Sequence, residues 1–204
     1  VYKRQEQGTL YSLQELKDIH DVCRKYDMYL FVDGARLGYG LGSEKNDVAL
    51  EDLAALTDVF YFGGTKCGAL FGEAVVITAD ALKKRFKAYM KQNGAVLAKG
   101  WLLGLQFHCL LEHDLYFTAT RRADALAMKL REVFAEQGIP FWVESFTNQQ
   151  FVILSDVQKE TLEKRYIFEP MGKSADGGNI ARFCTSWATT EEEVQTLIDD
   201  LRTL

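Results

Sequence analysis

An α/β fold built on a mostly parallel sheet, followed by a small C-terminal α+β unit, is what this sequence predicts. Three observations point there. Helical periods alternate with short apolar runs through the first half of the chain. Two of those runs stop at a polar residue beside glycine. After Gly138-Ile139-Pro140 the pattern changes to strand-like runs closed by a helix.

The elements follow in order. Ser12 and Glu15 have the spacing of a capping box, and Leu13, Leu16, Ile19, Cys23 and Tyr26 continue at helical spacing. Tyr29-Leu30-Phe31-Val32 is short and apolar, so it reads as a buried strand ending at Asp33-Gly34. Glu51 to Leu56 reads as a short helix. Val59-Phe60-Tyr61-Phe62 is a second buried run, ending at Gly63-Gly64-Thr65-Lys66, and Ala74-Val75-Val76-Ile77 is a third. Thr78 is placed as the cap of a basic helix carrying Lys83, Lys84, Arg85, Lys87 and Lys91. Ala98 to Glu136 reads as mostly helical, with Gly100 and Gly104 as candidate breaks. Phe141-Trp142-Val143, Phe151-Val152-Ile153-Leu154 and Ile180 to Trp187 read as strands of the second unit, the first two antiparallel. Thr190 and Glu193 form a second capping box, leading into Val194, Leu197, Ile198 and Leu201.

Composition narrows the function. The 204 residues are 48% hydrophobic and 12% aromatic, enough to build a core, which excludes general disorder. A net charge of −5 argues against a nucleic-acid partner, and the basic helix reads as a solvated face. No apolar run reaches the roughly 18–20 residues of a membrane span. Cys23, Cys67, Cys109 and Cys184 are scattered without a CxxC pair, which fits a reducing, cytoplasmic setting. Val1-Tyr2-Lys3-Arg4-Gln5 reads as a translated sequencing adapter, so the natural chain is expected to extend upstream of Glu6.

The chemistry is expected at the ends of the two best strands. In parallel sheets ligands bind at the carboxyl edge, and parallel pairing would put Asp33 and Lys66 on that edge together. Pyridoxal phosphate (PLP) uses such a pair: a lysine amine for a Schiff base and a carboxylate for its pyridine nitrogen. Gly63, Gly64 and Gly68 let backbone approach a ligand, and Tyr61, Phe62, Leu70 and Phe71 are expected to desolvate Lys66 partly. Other signals are weaker. Gly172-Lys173-Ser174 lacks the upstream glycine of a phosphate loop, and Gly38, Gly40 and Gly42 do not directly follow a strand. His108 and Glu112 share a helix face but His113 does not, so no metal site is expected.

Three motifs carry a resemblance. Phe31-Val32-Asp33-Gly34-Ala35-Arg36 resembles the Asp-Gly-Ala-Arg motif of the low-specificity L-threonine aldolases, in the β-eliminating lyase group of fold-type I PLP enzymes. Gly64-Thr65-Lys66-Cys67-Gly68-Ala69-Leu70-Phe71-Gly72 is similar to their lysine segment, and Arg182-Phe183-Cys184-Thr185-Ser186-Trp187 to their C-terminal arginine strand. The resemblance implies a fold-type I PLP-dependent transferase-like sheet whose N-terminal part lies upstream. Residues 1–5 are then the scar, 6–137 the C-terminal portion of the PLP-binding domain with its linking helices, and 138–204 the small α+β domain.

It also implies roles. Lys66 is the catalytic, cofactor-linking lysine. Asp33 pairs with the pyridine nitrogen, Arg36 lies near cofactor and substrate carboxylate, and Thr65 bonds the phosphate or its water. Arg182, with Arg36, grips the carboxylate of an amino acid substrate. The implied reaction is retro-aldol cleavage of threonine or allo-threonine to glycine and an aldehyde, in a homodimer or homotetramer, with the piece as given inactive alone. Another fold-type I lyase or class V-like aminotransferase, and a non-catalytic scaffold, remain as alternatives.

Overall fold

The computed structural model describes residues 7–204, so the adapter assigned to residues 1–5 lies outside the described residues. Helix α1 (Leu13–Lys25) starts at the predicted box: Ser12 Oγ accepts the Glu15 N–H at 3.2 Å, and Glu15 Oε2 accepts the Ser12 N–H at 2.8 Å. Two donors that a helix start leaves unpaired are thereby satisfied.

Strands β1 (Phe31–Val32) and β2 (Val59–Phe62) pair in parallel, Phe31 opposite Val59 and Val32 opposite Phe60. Helices α2 (Leu37–Gly42) and α3 (Leu50–Leu56) lie on the crossover between them. Strand β3 (Ala74–Ile77) runs antiparallel to β2, so the order is β1-β2-β3 with one parallel and one antiparallel pair. The loop after β2 has no crossover helix, and only an antiparallel return is open to so short a connection.

The expectation of fully buried strands needs correction. Phe60 and Phe62 are buried, but Phe31 is 55% and Val75 49% exposed. Side chains alternate across a strand, so one face meets the core and the other does not.

Helix α2 carries three glycines, which hide it from a reading of helical periodicity. They allow close packing: a Cβ on Gly38 would stand 2.8 Å from Thr120 Cγ2 of α7 (Leu115–Glu136). The basic segment is two helices, α4 (Asp80–Lys83) and α5 (Phe86–Gln92), divided by Arg85 at φ +62°. Thr78 does not cap them; its hydroxyl donates to the Thr57 carbonyl. The long helical stretch divides into α6 (Trp101–Glu112) and α7. It breaks at Asp114, φ +57°, rather than at Gly104. Aspartate is one of the few residues that enter the left-handed region readily.

The second sheet comprises β4 (Phe141–Val143), β5 (Gln149–Leu154), β6 (Glu169–Lys173) and β7 (Asn179–Cys184), antiparallel in the order β4-β5-β7-β6. Strand β6 escaped the sequence reading because Pro170 and Gly172 interrupt it; both are tolerated at an irregular edge. Within the Gly172-Lys173-Ser174 stretch, Ser174 Oγ accepts the Gly178 N–H at 3.0 Å, part of a hairpin turn. Helix α8 (Asp156–Glu163), also unpredicted, is capped by Ser155 and Gln158. Strand β7 stops at Cys184 instead of Trp187, because Thr185 Oγ1 turns to donate to the Ala123 carbonyl at 2.7 Å. Helix α9 (Glu191–Leu201) carries the second predicted box, Thr190 with Glu193.

Two apolar cores result. One gathers Phe60, Phe62, Phe107 and Tyr116; the other gathers Leu130, Phe134, Val152, Phe183 and Leu201. Helix α7 runs through both, with Tyr116 and Ala123 in the first and Leu126 to Phe134 in the second. Between them lies a polar seam, in which Ser43 Oγ donates to the Phe146 carbonyl at 2.6 Å and Asp124 is only 4% exposed. Among the described residues no helix is long and apolar enough to cross a membrane.

Candidate active site

The parallel register of β1 and β2 brings the two strand ends side by side. Asp33 and Gly34 leave β1 as Gly63 to Lys66 leave β2. The Gly63 N–H donates to the Gly34 carbonyl at 2.8 Å. The approach tolerates no side chain: a Cβ on Gly34 would lie 1.6 Å from the Tyr61 carbonyl oxygen, and one on Gly63 2.2 Å from that of Ala35. The glycines beside the two polar residues are therefore a condition of their proximity.

Asp33 is exposed. Its Oδ1 accepts the Ala35 N–H at 3.0 Å and the Tyr61 hydroxyl. Thr65 and Lys66 are exposed as well. The expected desolvation of Lys66 does not occur, because Leu70, 84% exposed, and Phe71 do not cover it.

Lys66 has a fixed backbone. The Tyr39 hydroxyl donates to its carbonyl, and the Tyr116 hydroxyl donates to that of Gly63 at 3.0 Å. Glu73 Oε2 accepts the Gly64 N–H at 2.5 Å. Gln106 on α6 accepts the Leu70 N–H at 2.7 Å and donates to the Phe71 carbonyl at 3.2 Å. Burial raises the Tyr39 and Tyr116 pKa values, so both phenols stay protonated donors. Burial pushes Cys67 up to about 11, which leaves it an unreactive thiol beneath the loop.

The two arginines arrive from opposite ends of the chain. Arg36 stands at the start of α2. Arg182 lies in β7 between Phe151 of β5 and Glu169 of β6. Arg122 of α7 fixes the approach, donating to the Trp187 and Thr189 carbonyls at 2.9 and 3.1 Å. Burial first, and then the like charge of Arg182, lowers the Arg36 pKa. Arg182 donates to Gln149 Oε1 at 3.5 Å, and its Nε is buried without an acceptor among the described residues. Cys184 joins them: burial raises its pKa while Arg182 and Arg36 pull it down. A pair of guanidiniums, one with an unused buried donor, is a receptor for an anion.

The structure thus brings Asp33 beside the Lys66 loop and Arg36 within electrostatic range of Arg182. Sequence reading missed Tyr39, Tyr116 and Gln106, and named Tyr61 and Cys184 without these roles. A hydroxyl or amide within an apolar run was the available signal for the tyrosines and Gln106. Clefts of about 370 Å³ near Leu10 and Phe146 and about 220 Å³ near β6 contain none of the predicted site residues. His108 Nε2 lies 3.5 Å from Glu112 Oε2, both exposed, and no group of three or more metal-ligating side chains occurs among the described residues.

Comparison with known proteins gives three kinds of likeness. A family model described as beta-eliminating lyase matches residues 4–157. The low specificity L-threonine aldolase of Pseudomonas aeruginosa is 32% identical over 97% of this chain and 56% of that relative. The threonine aldolase structure from Leishmania major is 42% identical, with a TM-score of 0.94 over 97% of this chain and 58% of that one. An Exiguobacterium structure described as a putative aromatic amino acid beta-eliminating lyase/threonine aldolase, 18% identical with a TM-score of 0.68, shares the fold. The chain spans about half the length of the curated bacterial relatives it matches.

Proposed function

The chain belongs to the beta-eliminating lyase family, and on that premise we propose that it serves the PLP-dependent cleavage of threonine or allo-threonine to glycine and an aldehyde. The observation that carries this reading is the parallel β1–β2 pair, which sets Asp33 and the Lys66 loop at one sheet edge. The donor set fits the cofactor: an exposed amine for its aldehyde, a carboxylate for its ring nitrogen, and glycine backbone with no room for a Cβ. When bound, PLP supplies an electron sink for the pair released at the substrate Cα.

The protein residues do the rest. Lys66 would hold the cofactor covalently through its amine. Asp33 would pair with the ring nitrogen, and Thr65 would bond the phosphate or its water. Arg182 and Arg36 grip the substrate carboxylate, Arg182 through its unused Nε. Holding that carboxylate orients the Cα–Cβ bond for cleavage, a use of binding energy to fix geometry. The β-hydroxyl loses its proton, the Cα–Cβ bond breaks, the aldehyde leaves, and Cα takes a proton to become glycine.

The product assay tests this reading. Threonine supplied to the PLP-loaded full-length protein is expected to yield glycine and acetaldehyde in equal amounts; pyruvate and ammonia instead would establish an eliminating lyase. Arg182→Lys is expected to raise KM for threonine about tenfold or more with a smaller loss in kcat, since an ammonium cannot reproduce a planar fork. Steady-state kinetics of the variant measure it.

The same reading extends to a cytoplasmic homodimer or homotetramer. Four free cysteines support the first. Exposed Leu70, Trp101, Leu102 and Leu105, on and beside α6, support the second, because apolar surface of this kind marks association sites.

A further inference from the structure

We infer that the Tyr61 hydroxyl is a positioning group for Asp33, orienting its carboxylate toward the ring nitrogen of the cofactor. The inference rests on the proposed PLP-dependent reading. Strand β2 reads Val-Phe-Tyr-Phe, and the phenol is its one polar side-chain atom. The cross-strand neighbour of Tyr61 is Val75, and its ring lies 6.0 Å from that of Phe31. Phenylalanine would satisfy those apolar contacts equally well, so packing leaves the hydroxyl unexplained.

The hydroxyl is spent on Asp33 Oδ1. Register makes this possible: Val32 pairs with Phe60, so the next residue of each strand, Asp33 and Tyr61, meet on the same face. The Ala35 N–H donates to the same oxygen at 3.0 Å. Two donors from different directions on one oxygen fix the carboxylate torsion. Burial, and then Asp33 itself, raise the Tyr61 pKa, so the phenol remains a donor across the working pH range.

The test is cofactor affinity, measured by absorbance titration of the full-length apoprotein with PLP. Tyr61→Phe is expected to raise the dissociation constant about tenfold when Asp33 is present, the scale of one hydrogen bond to a charged group. In an Asp33→Asn background the same change is expected to cost no more than about twofold, because the coupling passes through the carboxylate. Equal losses in both backgrounds, or none in either, overturn the inference.

A fluorinated tyrosine at position 61 keeps the ring's shape and makes the phenol more acidic. Relative to the unmodified protein, PLP affinity is expected to fall as that phenol ionises; an unchanged pH profile also overturns the inference. Borohydride reduction and peptide mass analysis separate this failure from that of the underlying reading. No adduct on Lys66 in the unmodified protein counts against the PLP-dependent reading itself. An adduct with an insensitive Tyr61→Phe counts against the role of Tyr61 alone.

Discussion

Lys66→Ala is expected to abolish the covalent link to PLP and to lower threonine cleavage by at least ~10³-fold, as loss of a covalent nucleophile does. The expectation follows from placement. The Lys66 amine is exposed at the carboxyl edge of the β1–β2 pair, while its carbonyl is bound by Tyr39 and the preceding loop is held by Tyr116 and Glu73. The backbone is fixed and the side chain is available, as a covalent anchor requires. Removing the side chain leaves those bonds in place. Folding stability is therefore expected to change by no more than about 0.5 kcal/mol, the usual range at exposed positions. Lys66→Arg is expected to fail equally, because a guanidinium keeps the charge but stays protonated and cannot form the link. Mass analysis of the borohydride-reduced protein reads the outcome. A retained adduct in Lys66→Ala would move the anchor to another lysine and refute the assignment.

Asp124→Asn is expected to stabilise the fold at alkaline pH and to flatten its pH dependence. Asp124 sits in α7 at the seam between the two cores, and neither carboxylate oxygen has a hydrogen-bonding partner of ordinary geometry among the described residues. Its surroundings are α2, where Oδ2 lies 3.1 Å from where a Cβ on Gly42 would stand, the neutral phenol of Tyr39, and the backbone at Asn148. Burial raises its pKa from 3.8 to about 9, with the Asn148 N–H pulling weakly the other way. Between those two values the folded chain holds a proton that the unfolded chain has released. Stability therefore falls as pH rises through that window, by up to ~1.4 kcal/mol per unit. Asparagine keeps the shape without the charge. At pH ~8 the variant is expected to gain on the order of 3 kcal/mol, and at pH ~4 almost nothing. Urea unfolding at the two pH values measures the difference, and an equal change at both would refute the assignment.

Reading the sequence located what is encoded over three or four residues. The boxes Ser12–Glu15 and Thr190–Glu193 lie where their spacing says, because a cap satisfies its own helix start. The apolar runs ending in Asp33 and Lys66 were legible as strand ends for the same reason: each announces its own termination. Elements whose local signals conflict were not legible. Glycines obscured α2, Pro170 and Gly172 obscured β6, and Asp114 broke a helix that Gly104 did not.

The strand order and the approach of distant side chains were decided by tertiary structure alone. The Tyr61–Asp33 bond needs the β1–β2 register, and the meeting of Arg36 with Arg182 needs α7 to carry the second sheet back to the first. The sequence by itself thus determined the capped helices, the strand ends and the residues able to do chemistry, since a hydrogen bond three residues away is available to the chain before it folds. Which of those residues face one another waits on packing, because register and burial are properties of surfaces that exist only once both partners are folded.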